Sequence, residues 1–154
     1  MNNSLKKFME LNFNRCGKAL DLGAGDFFDV ACLERLGWKC EGVDINTGIN
    51  LEFAYLSKDK PFDLVFSNYL LHKLKNKRRL IQTAFDNLKK DGWFFLHTFD
   101  QSDLNAKSDI TVDSIKRLLE ELGFKNIVTK VFDYYDNDEG HKHWHKILEA
   151  TAQK

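Results

Sequence analysis

Apolar positions along the chain switch between two periods. Leu5, Phe8, Met9 and Phe13 recur at helical spacing, and Gly17 closes that pattern. "KALDLG" (18–23) then reads as a short buried strand. Helical spacing returns with Phe28, Cys32, Leu33 and Leu36 on one side, Asp26 as N-cap and Gly37 just past the end. "KCEGVDI" (39–45) and "FDLVFSN" (62–68) are further strands. The 46–61 stretch between them is short for a helix plus a strand, so we expect only a weak strand in "INLEF" (49–53).

Ile81, Ala84, Phe85 and Leu88 mark another helix, which "KKDG" (89–92) should end before the strand "WFFLHTF" (93–99). Residues 100–110 are polar and predict a loop. Thr111 caps a helix whose apolar side carries Ile115, Leu118, Leu119 and Leu122, with Gly123 after it. "KNIVTKVFDYY" (125–135) and "KHWHKILEAT" (142–151) are strand-like, joined by the turn-rich "DNDEG". Strands alternating with helices predict a parallel α/β sheet with right-handed crossovers. The last two strands share a connection too short for a crossover, so they run antiparallel. The expectation is one domain over 1–154, with an N-terminal helix in 1–16 and a core in 17–154.

Composition narrows the partners. With 43% hydrophobic and 30% charged residues, a chain of 154 residues resembles an ordinary soluble domain with a sizeable core. Lys+Arg and Asp+Glu are 23 each, so overall charge favours no polyanion. No apolar run reaches the roughly 18 residues of a membrane span, and "MNNSLKKFMEL" lacks a signal-peptide core. Cys16, Cys32 and Cys40 are odd in number and form no CxxC, which suits buried apolar roles in a cytoplasmic protein.

The stretch that invites a ligand is "ALDLGAGDFF" (19–28). Gly23 and Gly25 flank Ala24 where a strand turns into a helix, the place where open α/β sheets bind ligands. A dinucleotide would set its pyrophosphate on the helix N-terminus, but the full fingerprint needs a glycine where Phe28 stands. Asp21 and Asp26 would also repel a diphosphate, at a cost on the order of a few kcal/mol in a partly buried site. S-adenosylmethionine carries an ammonium and a sulfonium, and the same carboxylates attract it. Asp44 ends the second strand 19 residues after Gly25, near the spacing expected of an acid that accepts from ribose hydroxyls.

Taken in order, these segments resemble the class I S-adenosylmethionine-dependent methyltransferases over essentially the whole chain. "LDLGAGDF" is similar to their glycine-rich motif and "CEGVDIN" to their acidic second strand. "FDLVFSNYLLHKL" resembles the fourth strand and following turn of the small-molecule branch, "LKKDGWFFLHTF" the fifth strand, and "LLEELGFKNIVTKV" the last helix and sixth strand. The resemblance implies a Rossmann-like three-layer fold with a seven-stranded sheet in the order 3-2-1-4-5-7-6, here with a shortened link between strands 2 and 4. It implies that Asp21, Gly23, Ala24 and Gly25 shape the methionine end of the cofactor site. Asp44 would hold the ribose, with Ile45 beside it also at the cofactor, Glu52 or Phe53 would lie by the adenine, and Asn68 by the methionyl part. The family's third motif glycine corresponds to Phe27.

Methyl transfer is an in-line displacement in which positioning supplies much of the rate, and a base is needed only if the acceptor must lose a proton. His72 and His97, at the ligand edge of the sheet, are the candidate bases, with Asp100 behind them and Tyr69 as a pocket wall. "HKHWH" puts His141, His143 and His145 on one strand face, but nearly 7 Å between successive same-face positions makes a poor metal triad, so no metal is expected. "KLKNKRR" (73–79) carries five positive charges in seven residues. It reads as a solvated helix start, with a nucleic-acid acceptor as the disfavoured alternative. The expected activity is transfer of a methyl group to a small molecule, against RNA or protein methylation or a catalytically weak cofactor-binding module. The pattern assigns no oligomeric state.

Overall fold

A strand covered on both sides has no reason to alternate, and "FDLVFSN" is apolar at successive positions because helices cover both its faces. The structure, a computed structural model, describes residues 1–137 and 142–154. Its elements are α1 (Asn3–Asn12), β1 (Lys18–Leu22), α2 (Phe28–Arg35), β2 (Lys39–Val43), β3 (Phe62–Asn68), α3 (Lys77–Asn87), β4 (Leu88–Phe99), α4 (Val112–Glu121), β5 (Lys125–Asp136) and β6 (His143–Gln153). The strands form one sheet in the order β2-β1-β3-β4-β6-β5. The first four are parallel, and β6 runs antiparallel to both β4 and β5. On one face Leu80, Ile81 and Ala84 of α3 pack with Ile115 and Leu119 of α4. On the other, Leu5 and Met9 of α1 pack with Leu33 of α2 against Phe66 and Phe95. This is the expected Rossmann-like three-layer α/β fold.

The sheet has six strands, where seven were expected. "INLEF" forms turns, and side chains satisfy the backbone of the 46–61 segment in place of a ladder. Asn87, fully buried, accepts from the Ser57 N–H at 2.9 Å and donates to the Tyr55 carbonyl at 2.9 Å. The hydroxyls of Tyr55 and Ser57 both donate to the Glu41 carboxylate, and Leu51 inserts into the core. So fastened, the segment gains little from pairing with β2.

Other boundaries shift. α3 passes at Asn87 straight into β4, so "KKDG" lies within that strand as an irregularity rather than ending the helix. α2 has no side-chain cap. Its N-cap is Phe27, and the Asp26 carboxylate instead accepts from the Phe28 N–H at 3.0 Å. Phe28 and Leu36, expected in the core, are exposed because the helix spans eight residues and buries only Val30 and Leu33. Cys16 is exposed rather than buried, and its thiol donates to the Leu36 carbonyl. α1 and α4 begin at Asn2 and Thr111, whose side chains accept from free N–H groups of the first turn.

Candidate functional site

The carboxyl ends of β1, β3 and β4 open into a cavity of about 840 Å³. Its walls are the β1–α2 turn, Phe28 and Asp29 of α2, Asn68 at the end of β3 and Tyr69 just after it, His97 of β4, and Phe132 and Tyr134 of β5. Residues 1–4 close one side.

The glycine turn follows from its backbone. Gly23 and Gly25 lie at φ +92° and +55°, in the left-handed region that glycine enters without strain. A Cβ on Gly23 would sit 2.6 Å from Leu70 Cδ2. Phe27 holds the left-handed conformation too, at φ +64°, so the chain keeps the glycine geometry there with a large side chain. Five amides of this turn are already committed. Gly23 and Ala24 donate to the Val43 carbonyl at 2.8 and 3.0 Å, and Gly25 donates to Asp44 Oδ2 at 3.2 Å. Phe27 donates to the Ala24 carbonyl at 2.8 Å, and Phe28 to Asp26. A diphosphate would find none of these five donors free.

The electrostatics point the same way. Asp21 is 3% exposed and has no side-chain hydrogen-bond partner among the described residues. Burial raises its carboxyl well above the ordinary carboxylate range, and Asp29, Asp44 and Asp26 raise it further. Among the described residues no Lys or Arg lines the cavity, and the Met1 ammonium that does stands 3.5 Å from Asp29. A buried acid with no partner, in a field of three more acids, calls for a cation.

A chain of hydrogen bonds organises the opposite wall. Asn2 Oδ1 accepts from the Ser4 and Leu5 amides, so its Nδ2 is the donor to His97 Nδ1 at 2.9 Å. The His97 proton therefore sits on Nε2 and is donated to Glu149 Oε2 at 2.8 Å. Burial by itself would raise the Glu149 carboxyl, but hydrogen bonds from His97 and Lys130 hold it below its usual value. Asp29 accepts from the Asn2 backbone at 3.1 Å and from Asn68 Nδ2 at 2.8 Å.

Residues 2–129 match a family model described as a methyltransferase domain. The chain belongs to this methyltransferase family. No curated protein matches the sequence. Solved methyltransferases share the fold at low identity. One from Methanosarcina mazei has a TM-score of 0.79 at 16% identity, covering 96% of each chain. One from Archaeoglobus fulgidus has 0.75 at 15%, covering 98% of this chain and 91% of the other. The Burkholderia thailandensis 1,6-didemethyltoxoflavin-N1-methyltransferase, with bound 1,6-didemethyltoxoflavin and S-adenosylhomocysteine, has 0.72 at 19%, covering 99% and 77%.

The structure of this methyltransferase gathers Asp21, Gly23, Ala24, Gly25, Asn68 and His97 at one cavity. Asp44 stands just outside, tied to the turn through Gly25 and bonded by Oδ1 to the Asn46 amide at 3.0 Å. Ile45 and Phe53 are exposed, at 67% and 68%, and do not line the cavity. Glu52 faces elsewhere: its carboxylate accepts from the Lys75 and Asn76 amides at 2.7 and 3.0 Å, which lowers it below the usual range.

His72 is likewise apart from the cavity, its ring against Phe99 at 4.8 Å. Burial, then Lys73 and Lys77, push it down to about 4. Asp100 caps its own turn through Ser102. His141 lies outside the described residues. His145 Nδ1 is 2.9 Å from Asp103, and among the described residues no group of three or more acids, cysteines and histidines is placed to hold a metal. No helix among them is long and apolar enough to cross a membrane.

Sequence reasoning missed Asn2, Phe132 and Tyr134 as cavity residues. "NNS" does carry an N-cap signal at Asn2, and Phe132 and Tyr134 share a strand face. Nothing local announces that either faces β4.

Proposed function

We propose that this methyltransferase binds S-adenosylmethionine in the 840 Å³ cavity and transfers its methyl group to a small molecule. The observation that carries the reading is Asp21, buried, without a side-chain hydrogen-bond partner among the described residues, and raised by burial and by three neighbouring acids. When bound, S-adenosylmethionine supplies an electrophilic methyl group on a cationic sulfur. Asp21 would hold the methionyl ammonium, with the bare backbone of Gly23 to Gly25 permitting close approach and Asn68 beside it. Asp44 uses two of its roughly four lone-pair sites on Gly25 and Asn46, which leaves acceptors for ribose hydroxyls. Ile45 offers an exposed apolar face to a purine, and Phe53 a second. His97, bonded at both ring nitrogens, serves as a positioning group.

A small acceptor suits a cavity within the roughly 300–1,000 Å³ usual for small-molecule sites. The toxoflavin-precursor methyltransferase of B. thailandensis, similar in fold, acts on such a compound. Nucleic acid has less in its favour, since Lys77 and Arg78 of the basic run are paired with Asp109 and Glu121.

Calorimetric titration with S-adenosylmethionine, S-adenosylhomocysteine and NADH tests the reading. We expect the first two to bind and NADH not to. Asp44→Ala should weaken the first two at least tenfold, in keeping with about 1–3 kcal/mol for a charged hydrogen bond. Tight NADH uptake with indifference to both sulfur compounds overturns it.

A further inference from the structure

The half of the cavity away from the glycine turn combines aromatic faces, negative charge and, among the described residues, no free base. Phe132 and Tyr134 sit two positions apart on β5 and therefore share a face. Opposite them Tyr69, at φ +57°, is pinned by its N–H donating to the His97 carbonyl at 2.9 Å. The His97 ring bridges the walls, 5.9 Å from Tyr69 and 5.8 Å from Phe132.

The charged side chains nearby are carboxylates whose ammonium partners are already engaged: the Met1 ammonium lies 3.5 Å from Asp29, and Lys130, over the Phe132 ring, is paired with Glu149 at 2.8 Å. Asp29 lines the cavity and Glu149 stands behind His97. Among the described residues no Lys or Arg lies on the lining, and the Met1 ammonium is engaged by Asp29, so an anionic acceptor would meet repulsion.

Once Asp21 holds the methionyl ammonium, a hydroxyl acceptor lacks a base among the described residues. His97 accepts at Nδ1 from Asn2 and donates at Nε2 to Glu149. The Tyr69 hydroxyl is pushed up to about 12, first by burial and then by Tyr134, Asp136, Asp29 and Glu149, so it keeps its proton. His72 lies outside the cavity lining. An amine needs no such base, because a neutral nitrogen carries its own lone pair. Aromatic faces and carboxylates both favour the cation it becomes.

We propose that the acceptor is a small amine, seated against Tyr69, Phe132 and Tyr134 and methylated on its nitrogen; this rests on the S-adenosylmethionine reading above. The lone pair of the neutral amine forms the N–C bond as the S–C bond breaks. Sulfur keeps the bonding pair and becomes a neutral thioether. The nitrogen gains the positive charge and gives a proton to water on release; an amine that arrives protonated first transfers its proton to water, which frees the lone pair for attack.

The test uses the full chain, saturated with S-adenosylhomocysteine after its uptake has been measured by calorimetry. Probes come as matched sets: 2-phenylethylamine, 2-phenylethanol and 3-phenylpropanoate, then propylamine, propanol and butanoate. Binding is followed by calorimetry and ligand-observed NMR. At least one amine should bind tenfold or more tighter than its alcohol and carboxylate. Tyr134→Ala should cut that affinity at least fivefold and Tyr134→Phe should restore it, with S-adenosylhomocysteine affinity unchanged in both. If the protein takes up S-adenosylhomocysteine but an alcohol or carboxylate matches its amine, or no amine binds, the amine assignment is overturned. If S-adenosylhomocysteine itself does not bind, the cofactor reading fails, and the amine proposal with it.

Discussion

Nδ2 of Asn2 donates to Nδ1 of His97 at 2.9 Å, joining the cap of the first helix to the end of β4. One side chain thus both starts a helix and sets the proton on a histidine in the cavity.

Asn2→Ala should remove both roles. Loss of the cap costs about 1 kcal/mol, which lowers Tm by roughly 2–4 °C in a domain of this size. Asn2→Asp separates the roles, since a carboxylate keeps the cap but replaces the donor with an acceptor. Long-range proton–nitrogen NMR should find the wild-type proton on Nε2 with Nδ1 bare, and a proton on Nδ1 in Asn2→Asp. A wild-type ring protonated at Nδ1 would contradict the assigned network.

Asp21 makes stability and binding depend on pH in opposite senses. Its carboxyl is raised in the folded chain, so the folded state holds that proton to higher pH than the unfolded state does. The cost to stability is absent below the unfolded value, near pH 4, and grows as pH rises through the raised one. Asp21→Asn should therefore raise the Tm of the ligand-free protein, and the gap should widen with pH across that window. The same variant should bind S-adenosylmethionine at least tenfold more weakly. In wild type, uptake of the cation should release protons in this window, which calorimetry in buffers of different ionisation enthalpy measures. Uptake without proton release would place the ammonium elsewhere.

Gly42 of β2 is a notch filled by its neighbours. A Cβ there would meet Val30 Cγ2 at 2.7 Å, Phe27 Cε1 at 2.8 Å and Ala24 Cβ at 2.9 Å. Gly42→Ala should destabilise the fold by about 1–3 kcal/mol and weaken cofactor binding, because Ala24 and Phe27 belong to the turn and Val30 to the helix behind it. Thermal melts and titration of the variant check both. A wild-type Tm would mean that the turn yields freely.

Most elements were legible because each buries a face whose spacing survives in the sequence. α4 is the clearest, with its Thr111–Ser114 capping box and Ile115 and Leu119 buried. The glycine turn was legible for another reason: its acids and glycines are contiguous, and their charge speaks to the ligand before any coordinates do. The weak third strand misled because Leu51 and Ile49 do pack in the core, as strand residues would, while distant side chains hold the backbone. Glu52 misled similarly, its partners lying 23 and 24 residues on. The far wall was invisible because Asn2 and His97 are 95 residues apart and no local period encodes that meeting.

The segment that replaces the missing strand is gripped twice, by Glu52 at the amides just ahead of α3 and by Asn87 at that helix's last residue. α3 lines no part of the cavity, yet it acts as a brace whose two ends set where residues 45–53 come to rest. Lengthening or tilting that brace would reshape the rim beside Asp44 while leaving the glycine turn untouched, so under the proposed cofactor placement the nucleoside end and the methionine end are free to evolve separately.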